Sequence, residues 1–181
     1  MVAGSILPVT IYKNKLCFLF GKENELEQTA KGWSDFGGKV EKNENIFNGA
    51  LREGSEELTG FLGNSSELRK LISENGGYKR LTHNTYHVHI FYLPYVEKLI
   101  KYYNLNHKFL WERMDHQYLS KTMLFEKIEI KWFSFEELKE RKSEFRHFYQ
   151  NIVDLFIENE KEIRSFIQSK KAKKNKTLKN N

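Results

Sequence analysis

Between Gly37 and Gly60 the sequence reads GGKVEKNENIFNGALREGSEELTG, and no other stretch limits the fold as much. Phe47, Ala50, Leu51, Leu58 and Phe61 fall on one side of a helix at about 100° per residue, which predicts a helix from Asn45 to Leu58. Residues three and four apart on a helix are neighbours, so Glu53, Glu56 and Glu57 project together. Their shared direction lies roughly a third of a turn from the centre of the apolar side. The helix can therefore bury one side in a core and still show three carboxylates to a cleft. Like charges at this spacing cost about a few tenths of a kcal/mol per pair. A bound divalent cation turns that cost into attraction, and hard ions such as Mg²⁺ and Mn²⁺ prefer carboxylate and carbonyl oxygens.

The neighbours of the carboxylates follow the same logic. Arg52 precedes Glu56 by four residues, within pairing distance on a helix, which suits it to hold a carboxylate in place. Gly37 and Gly38 allow unusual backbone dihedrals and close approach, so a carbonyl there is a candidate oxygen ligand. Taken alone, REGSEEL also reads as a solvated acidic helix face. The longer spacing is more specific: Gly38, five residues, Glu44, seven residues, Arg52-Glu53, two residues, Glu56-Glu57. Six such matches arise by chance on the order of once in 10⁵ chains of this length.

This spacing resembles the core of the Nudix box, and the chain is similar to Nudix hydrolases over about residues 5 to 157, most strongly within the box. GWSDFGGKVE resembles the family's tryptophan-bearing strand and Gly-Gly turn, and EIKWFSFEEL its late strand and following helix. Three departures stand out. Gly54 replaces a bulky aliphatic residue, the terminal glycine falls at Gly60 rather than at Thr59, and Phe36 stands where a proline commonly precedes the glycines. None removes a carboxylate.

The resemblance implies an α/β/α sandwich with a mixed central sheet and a metal-dependent hydrolase of nucleoside diphosphates linked to a group X. Carried over by position, Glu56 and Glu57 are the expected principal ligands of Mg²⁺ or Mn²⁺, with Glu53 assisting and Gly38 supplying a carbonyl. Arg52 is the expected orienter. The family often adds a glutamate some six residues before the late tryptophan, which lands on Glu126, with Glu129 as the second choice. Trp33, Gly37 and Lys39 are the expected substrate contacts. The 5′ cap of mRNA is one candidate substrate, since decapping is known in several branches. Dinucleoside polyphosphates, free nucleotides and diphosphoinositol polyphosphates are others. The competing class is a protein of the same fold that holds nucleotide or RNA without cleaving it.

Outside the box, SILPVTIYKN and KLCFLFGKE read as paired strands. SSELRKLISEN reads as a short helix capped by Asn64 with Glu67, and THNTYHVHIFYLPYV as a strand. The segment from Glu97 to Lys121 leaves its structure open. KIEIKWF alternates as a strand does, Ser134 and Glu137 form a capping box, and one long amphipathic helix is expected from Glu144 to Gln168. Strands alternating with helices predict a single mixed α/β domain over residues 1–168. Aromatic residues make up 14% of the chain, enough to build its core.

The formal charge of +6 is concentrated at the end, in KKAKKNKTLKNN. Residues 169–181 contain nothing to bury and read as a disordered basic tail, a handle for RNA or another polyanion, or a solubilising extension. No apolar run approaches the length of a membrane span, no signal peptide is visible, and a single cysteine, Cys17, excludes an internal disulfide. An intracellular setting is expected. His83, His87 and His89 lack an obvious fourth ligand and read as strand or cleft histidines rather than a zinc site.

Overall fold

The computed structural model describes residues 1–24, 31–118 and 125–179, with side chains through residue 174. Its centre is a seven-stranded mixed sheet. Strands β1 (Ala3–Tyr12) and β2 (Lys15–Glu23) form the antiparallel pair expected from their β-branched and aromatic residues. The short β3 (Trp33–Ser34) pairs with β2, and β4 (Phe36–Lys39) pairs with the first half of β1. Strands β5 (Tyr78–His83) and β6 (Tyr86–Tyr92) make a hairpin, with β6 running parallel to β1. Strand β7 (Lys127–Ser134) lies antiparallel to β2.

Side chains alternate across the sheet with period two. On β2, Leu16, Phe18 and Phe20 enter one apolar layer, while Cys17 and Leu19 enter the other. The second layer is covered by α1 (Ile46–Glu57), α2 (Ser65–Glu74) and α3 (Glu97–Trp111). The first is covered by α4 (Phe135–Glu140), α5 (Gln150–Glu158) and α6 (Glu160–Lys179). The result is the α/β/α sandwich expected from the sequence. No helix among the described residues is long and apolar enough to cross a membrane.

Helix starts follow the local chemistry closely. Asn45 caps α1 by accepting from the Asn48 amide at 2.8 Å. Complete capping boxes join Asn64 with Glu67 and Ser134 with Glu137.

Two of these elements differ from the sequence expectation, the second at two points. The strand expected from Thr82 onward is the second arm of a hairpin, turned at Asn84, whose φ of +53° suits asparagine. The long helix expected from Glu144 begins only at Gln150. Before it, Phe145 bridges to Trp33 and the Arg146 amide donates to the Trp33 carbonyl at 3.1 Å, so β3 holds this segment out of helical geometry. The helix also breaks at Asn159, whose side-chain amide donates to the Leu155 carbonyl at 2.8 Å and so competes with the backbone ladder.

The basic segment expected to be disordered continues α6 to Lys179, so a boundary at residue 168 falls inside a helix. Lysine and alanine are good helix formers, and buried Ile163 and Ile167 anchor the helix to the sheet. Lys171 Nζ donates to the Ile11 carbonyl at 2.7 Å, and Lys174 reaches Asn75 Oδ1.

Candidate active site

Helix α1 lies across β1 and β4, and space rather than backbone freedom explains the glycines there. Gly37 and Gly38 are strand residues of β4, with neither in a left-handed conformation, contrary to the turn expected from their sequence. A Cβ at position 37 would lie 2.3 Å from Ser5 Cβ, and one at position 38 would lie 2.6 Å from Glu53 Oε2. The missing side chains let a carboxylate of the helix rest directly on the strand backbone.

Arg52 organises the outer part of the carboxylate row. Its guanidinium donates to Glu53 Oε1 at 2.7 Å, to Glu44 Oε1 and Oε2 at 3.3 and 3.2 Å, and to Glu56 Oε2 at 3.5 Å. It also donates to the Lys39 carbonyl at 3.1 Å, tying α1 to the end of β4. Glu44 is held below the usual carboxylate range by Arg52 and by the Glu41 amide, which together outweigh its desolvation. The three box carboxylates differ sharply in environment: the Glu56 side chain is 63% exposed, Glu53 20% and Glu57 6%.

Glu57 is the inner end of the row. Its Oε2 accepts from the Gly37 amide at 2.8 Å, and its Oε1 lies 3.3 Å from Lys127 Nζ. Lys127 is fully buried and also donates to Ser34 Oγ at 2.7 Å and to Glu23 Oε1. Desolvation alone would lower the ammonium pKa, but Glu57 and Glu23 outweigh it and hold it above its ordinary value. Burial pushes the Glu57 carboxyl upward, against the pull of Lys127. Glu126, at the mouth of β7, is close enough for its charge to act on Glu57, and its carbonyl accepts from the Asn24 amide at 2.9 Å. Glu129 instead pairs across the strand with Lys22 and acts on Arg141.

The structure thus gathers Arg52, Glu53, Glu56, Glu57, Gly37, Gly38 and the Lys39 carbonyl into one site, with Glu126 beside it. Among the described residues no three acidic, imidazole or thiol groups already converge as a metal cage. The donor set nonetheless suits a hard cation: carboxylate oxygens in a row, and at Gly38 a space against Glu53 that any Cβ would fill. An open cleft of about 390 Å³ lies beside it, lined by Lys39, Glu41, Lys42 and Glu53.

Trp33 is not placed to stack on a substrate. It is 5% exposed and packs edge-on against Phe133, with ring centroids 4.9 Å apart. Pairing of β3 with β2 carries it into the core. The histidines are dispersed: His89 is buried, donates from Nδ1 to the Ser5 carbonyl at 2.9 Å, and is pulled down to about 4 by desolvation. His87 pairs with Thr82.

Sequence reasoning missed Lys127, Glu23 and Ser34. In KIEIKWF the alternation of Lys127, Glu129 and Lys131 reads as a solvent face, and only the sheet register places Lys127 indoors. Gly21 was the available signal, because a Cβ there would lie 2.8 Å from Lys127 Cγ.

A family model described as the NUDIX domain matches residues 5–156. Among solved structures, the chain is similar to a C. elegans Ap4A hydrolase in a binary complex, at 13% identity, with 91% of this chain and 99% of that chain covered and a TM-score of 0.50. It is also similar to a MutT protein from Methanosarcina mazei Go1, at 16% identity, with 89% and 95% covered and a TM-score of 0.47. No curated protein matches the chain.

Proposed function

The chain belongs to the Nudix family and is a Nudix pyrophosphohydrolase; from that premise we propose that it is a Mg²⁺- or Mn²⁺-dependent hydrolase of two nucleosides joined through a phosphate chain. The observation that carries this is Glu53 and Glu57 lying against the side-chain-free strand at Gly37 and Gly38, with Glu56 beside them on the same helix and held by Arg52. Both the mRNA 5′ cap and the dinucleoside polyphosphates have the proposed chemistry, a 5′-to-5′ polyphosphate bridge. The structure named as an Ap4A hydrolase resembles this chain in fold, which makes the second class a natural member of the test set.

In this reading Glu53, Glu56 and Glu57 hold the cation with the Gly38 carbonyl, and Glu126 is a further ligand or the general base. When bound, such an ion draws in phosphate oxygens and lowers the pKa of a bound water. The chain's own residues do the rest. Arg52 fixes the directions of Glu53 and Glu56, and the Gly37 amide fixes Glu57. Lys39 and Lys42, on the open cleft beside Glu53, offer positive charge to the phosphate chain. Water adds to phosphorus, the bridging P–O bond breaks, and the water proton passes to the base. Lys171 and Lys174 are engaged with the protein body rather than offered to RNA.

The test is metal-dependent hydrolysis of cap-labelled RNA, dinucleoside polyphosphates, nucleoside triphosphates, nucleotide sugars and diphosphoinositol polyphosphates, with Glu56→Gln alongside. Turnover of the bridged dinucleosides that is lost in the variant is expected. Preference for an unbridged class would overturn the substrate assignment.

A further inference from the structure

Helix α3 and the start of β7 border a cavity of about 230 Å³, lined by Asn24, His107, Lys108, Trp111, Phe125 and Ile128. Trp111 lies four residues from His107 and three from Lys108, which brings the three to one side of the helix. The cavity is separate from the carboxylate row but adjoins its inner end. Phe125 precedes Glu126 in the chain. Tyr103 stacks on His107 with ring centroids 3.8 Å apart, and its hydroxyl donates to the Glu57 carbonyl at 2.9 Å.

His107 is 2% exposed, and its two ring nitrogens are unequally provided for. Nδ1 lies 2.9 Å from the Tyr103 carbonyl, which can only accept, so Nδ1 carries the proton and donates it. Desolvation outweighs that bond, lowers the pKa of the ring and keeps it neutral. Nε2 is therefore a bare acceptor, and among the described residues it has no hydrogen-bond partner. Leaving a buried acceptor unpaired is unfavourable, and a ligand N–H entering the cavity removes that penalty. The surroundings suit a flat aromatic ring. Phe125 stands edge-on to His107 with centroids 4.7 Å apart, and Trp111 lines the same space. Phe125 keeps this place with a left-handed φ of +61°, which is costly for a bulky residue, and its carbonyl accepts from Asn24 Nδ2 at 3.1 Å.

We propose that this cavity is a base pocket that takes one adenine of the bridged dinucleoside, whose exocyclic amino group donates to His107 Nε2. The inference rests on the dinucleoside reading above and narrows it to bridged substrates that carry at least one adenine. Adenine fits because its amino donor is flanked by ring acceptors, N1 and N7, while Lys108, exposed at the rim, brings an ammonium that only donates. The pairing edge of guanine instead sets the N–H groups of N1 and N2 side by side. His107 Nε2 can serve one of them and leaves the other without such an acceptor. Uracil presents a lone N–H between two carbonyls, and its smaller ring covers less of Phe125 and Trp111.

The experiment compares calorimetric binding of AMP with that of purine riboside 5′-monophosphate, which lacks only the amino group, on the full chain without added metal. AMP is expected to bind the wild type about tenfold more tightly. The two should bind equally to His107→Phe, which keeps an aromatic ring beside Tyr103 and removes the acceptor. With nitrogen-15 in the histidines, the Nε2 resonance of His107 should move on addition of AMP and stay in place with the analogue. A purely structural role for His107 would weaken both nucleotides alike in the variant and preserve their ratio, and that result overturns the proposal. Equal affinity of the wild type for the two, tighter binding of GMP, or binding of neither also overturns it. Those wild-type measurements and the Nε2 resonance decide the matter if His107→Phe does not fold. An AMP preference in a chain that hydrolyses no bridged dinucleoside would keep the pocket and overturn the substrate reading on which it rests.

Discussion

Gly54 and Ile6 approach so closely that only a hydrogen fits between helix and strand: a Cβ at position 54 would lie 2.5 Å from Ile6 Cγ1 and 2.6 Å from its Cδ1. Glycine inside a helix costs about 1 kcal/mol relative to alanine. Here that cost lets α1 sit down on β1, where Ile6 is fully buried. Overpacking a core costs about 1–3 kcal/mol and outweighs the propensity gain. Gly54→Ala is therefore expected to lower stability, and to lower it much less in an Ile6→Ala background, where the space is available. Urea midpoints of the four proteins give the coupling, and strictly additive effects would refute this packing argument.

Thr59 occupies the place where the family's box carries glycine, and it has a left-handed φ of +47°. The next residue, Gly60, is also left-handed, at +73°. A β-branched residue pays about 1–2 kcal/mol for that conformation, against about 0.5–1 kcal/mol of extra unfolded-chain entropy for glycine. Thr59→Gly should raise stability by roughly 0.5–1 kcal/mol, read from the thermal midpoint, without changing turnover. A lower midpoint would mean that the threonine is not strained.

Arg52 touches Glu44, Glu53, Glu56 and the Lys39 carbonyl through one planar guanidinium. Lysine offers a point charge and cannot span the four. Arg52→Lys should lower kcat by about 10–100-fold, the usual loss for a residue that orients metal ligands. The Arg52 side chain is 26% exposed, so the unfolding midpoint should move little. Near-native kcat would show that the carboxylates orient themselves.

Asp35 lies behind the glycine strand, accepting from Ser5 Oγ at 2.5 Å and from Tyr86 Oη at 2.5 Å. Desolvation lifts its carboxyl from 3.8 to about 6, in spite of those two donors. A carboxyl with a raised folded pKa holds its proton longer when folded, so its contribution to stability falls as pH rises between those two values. A carboxamide in its place carries no such charge, and the Ser5 hydroxyl can turn to accept from the amide. The stability of Asp35→Asn relative to wild type should therefore climb by about 2–3 kcal/mol across that window and level off above it. Denaturation curves at half-unit pH steps test this, and parallel profiles would show that Asp35 does not titrate there.

Much of the site could be read in the sequence because it is local. The spacing of Glu53, Glu56 and Glu57 on one helix, the pairing reach of Arg52 and the caps at Asn45, Asn64 and Ser134 all depend on residues within a few positions of one another. Helical geometry converts such spacing directly into direction. The failures involve partners far apart in the chain. Trp33 reads as a substrate contact until β3 pairs with β2 and takes it into the core, and the helix expected from Glu144 is delayed because Phe145 and Arg146 bond to Trp33.

The sequence by itself determined the mixed α/β class and the row of carboxylates, since periodicity and spacing are properties of neighbouring residues, and the resemblance of its box implied the family and the sandwich. Only the tertiary structure decided what stands at each end of that row. Lys127 meets Glu23 across 104 positions of chain and Glu57 from a different layer of the fold, and nothing in its own strand marks it as buried. Sheet register, set by the packing of whole faces, took the ammonium out of water and left the two carboxylates to replace its hydration.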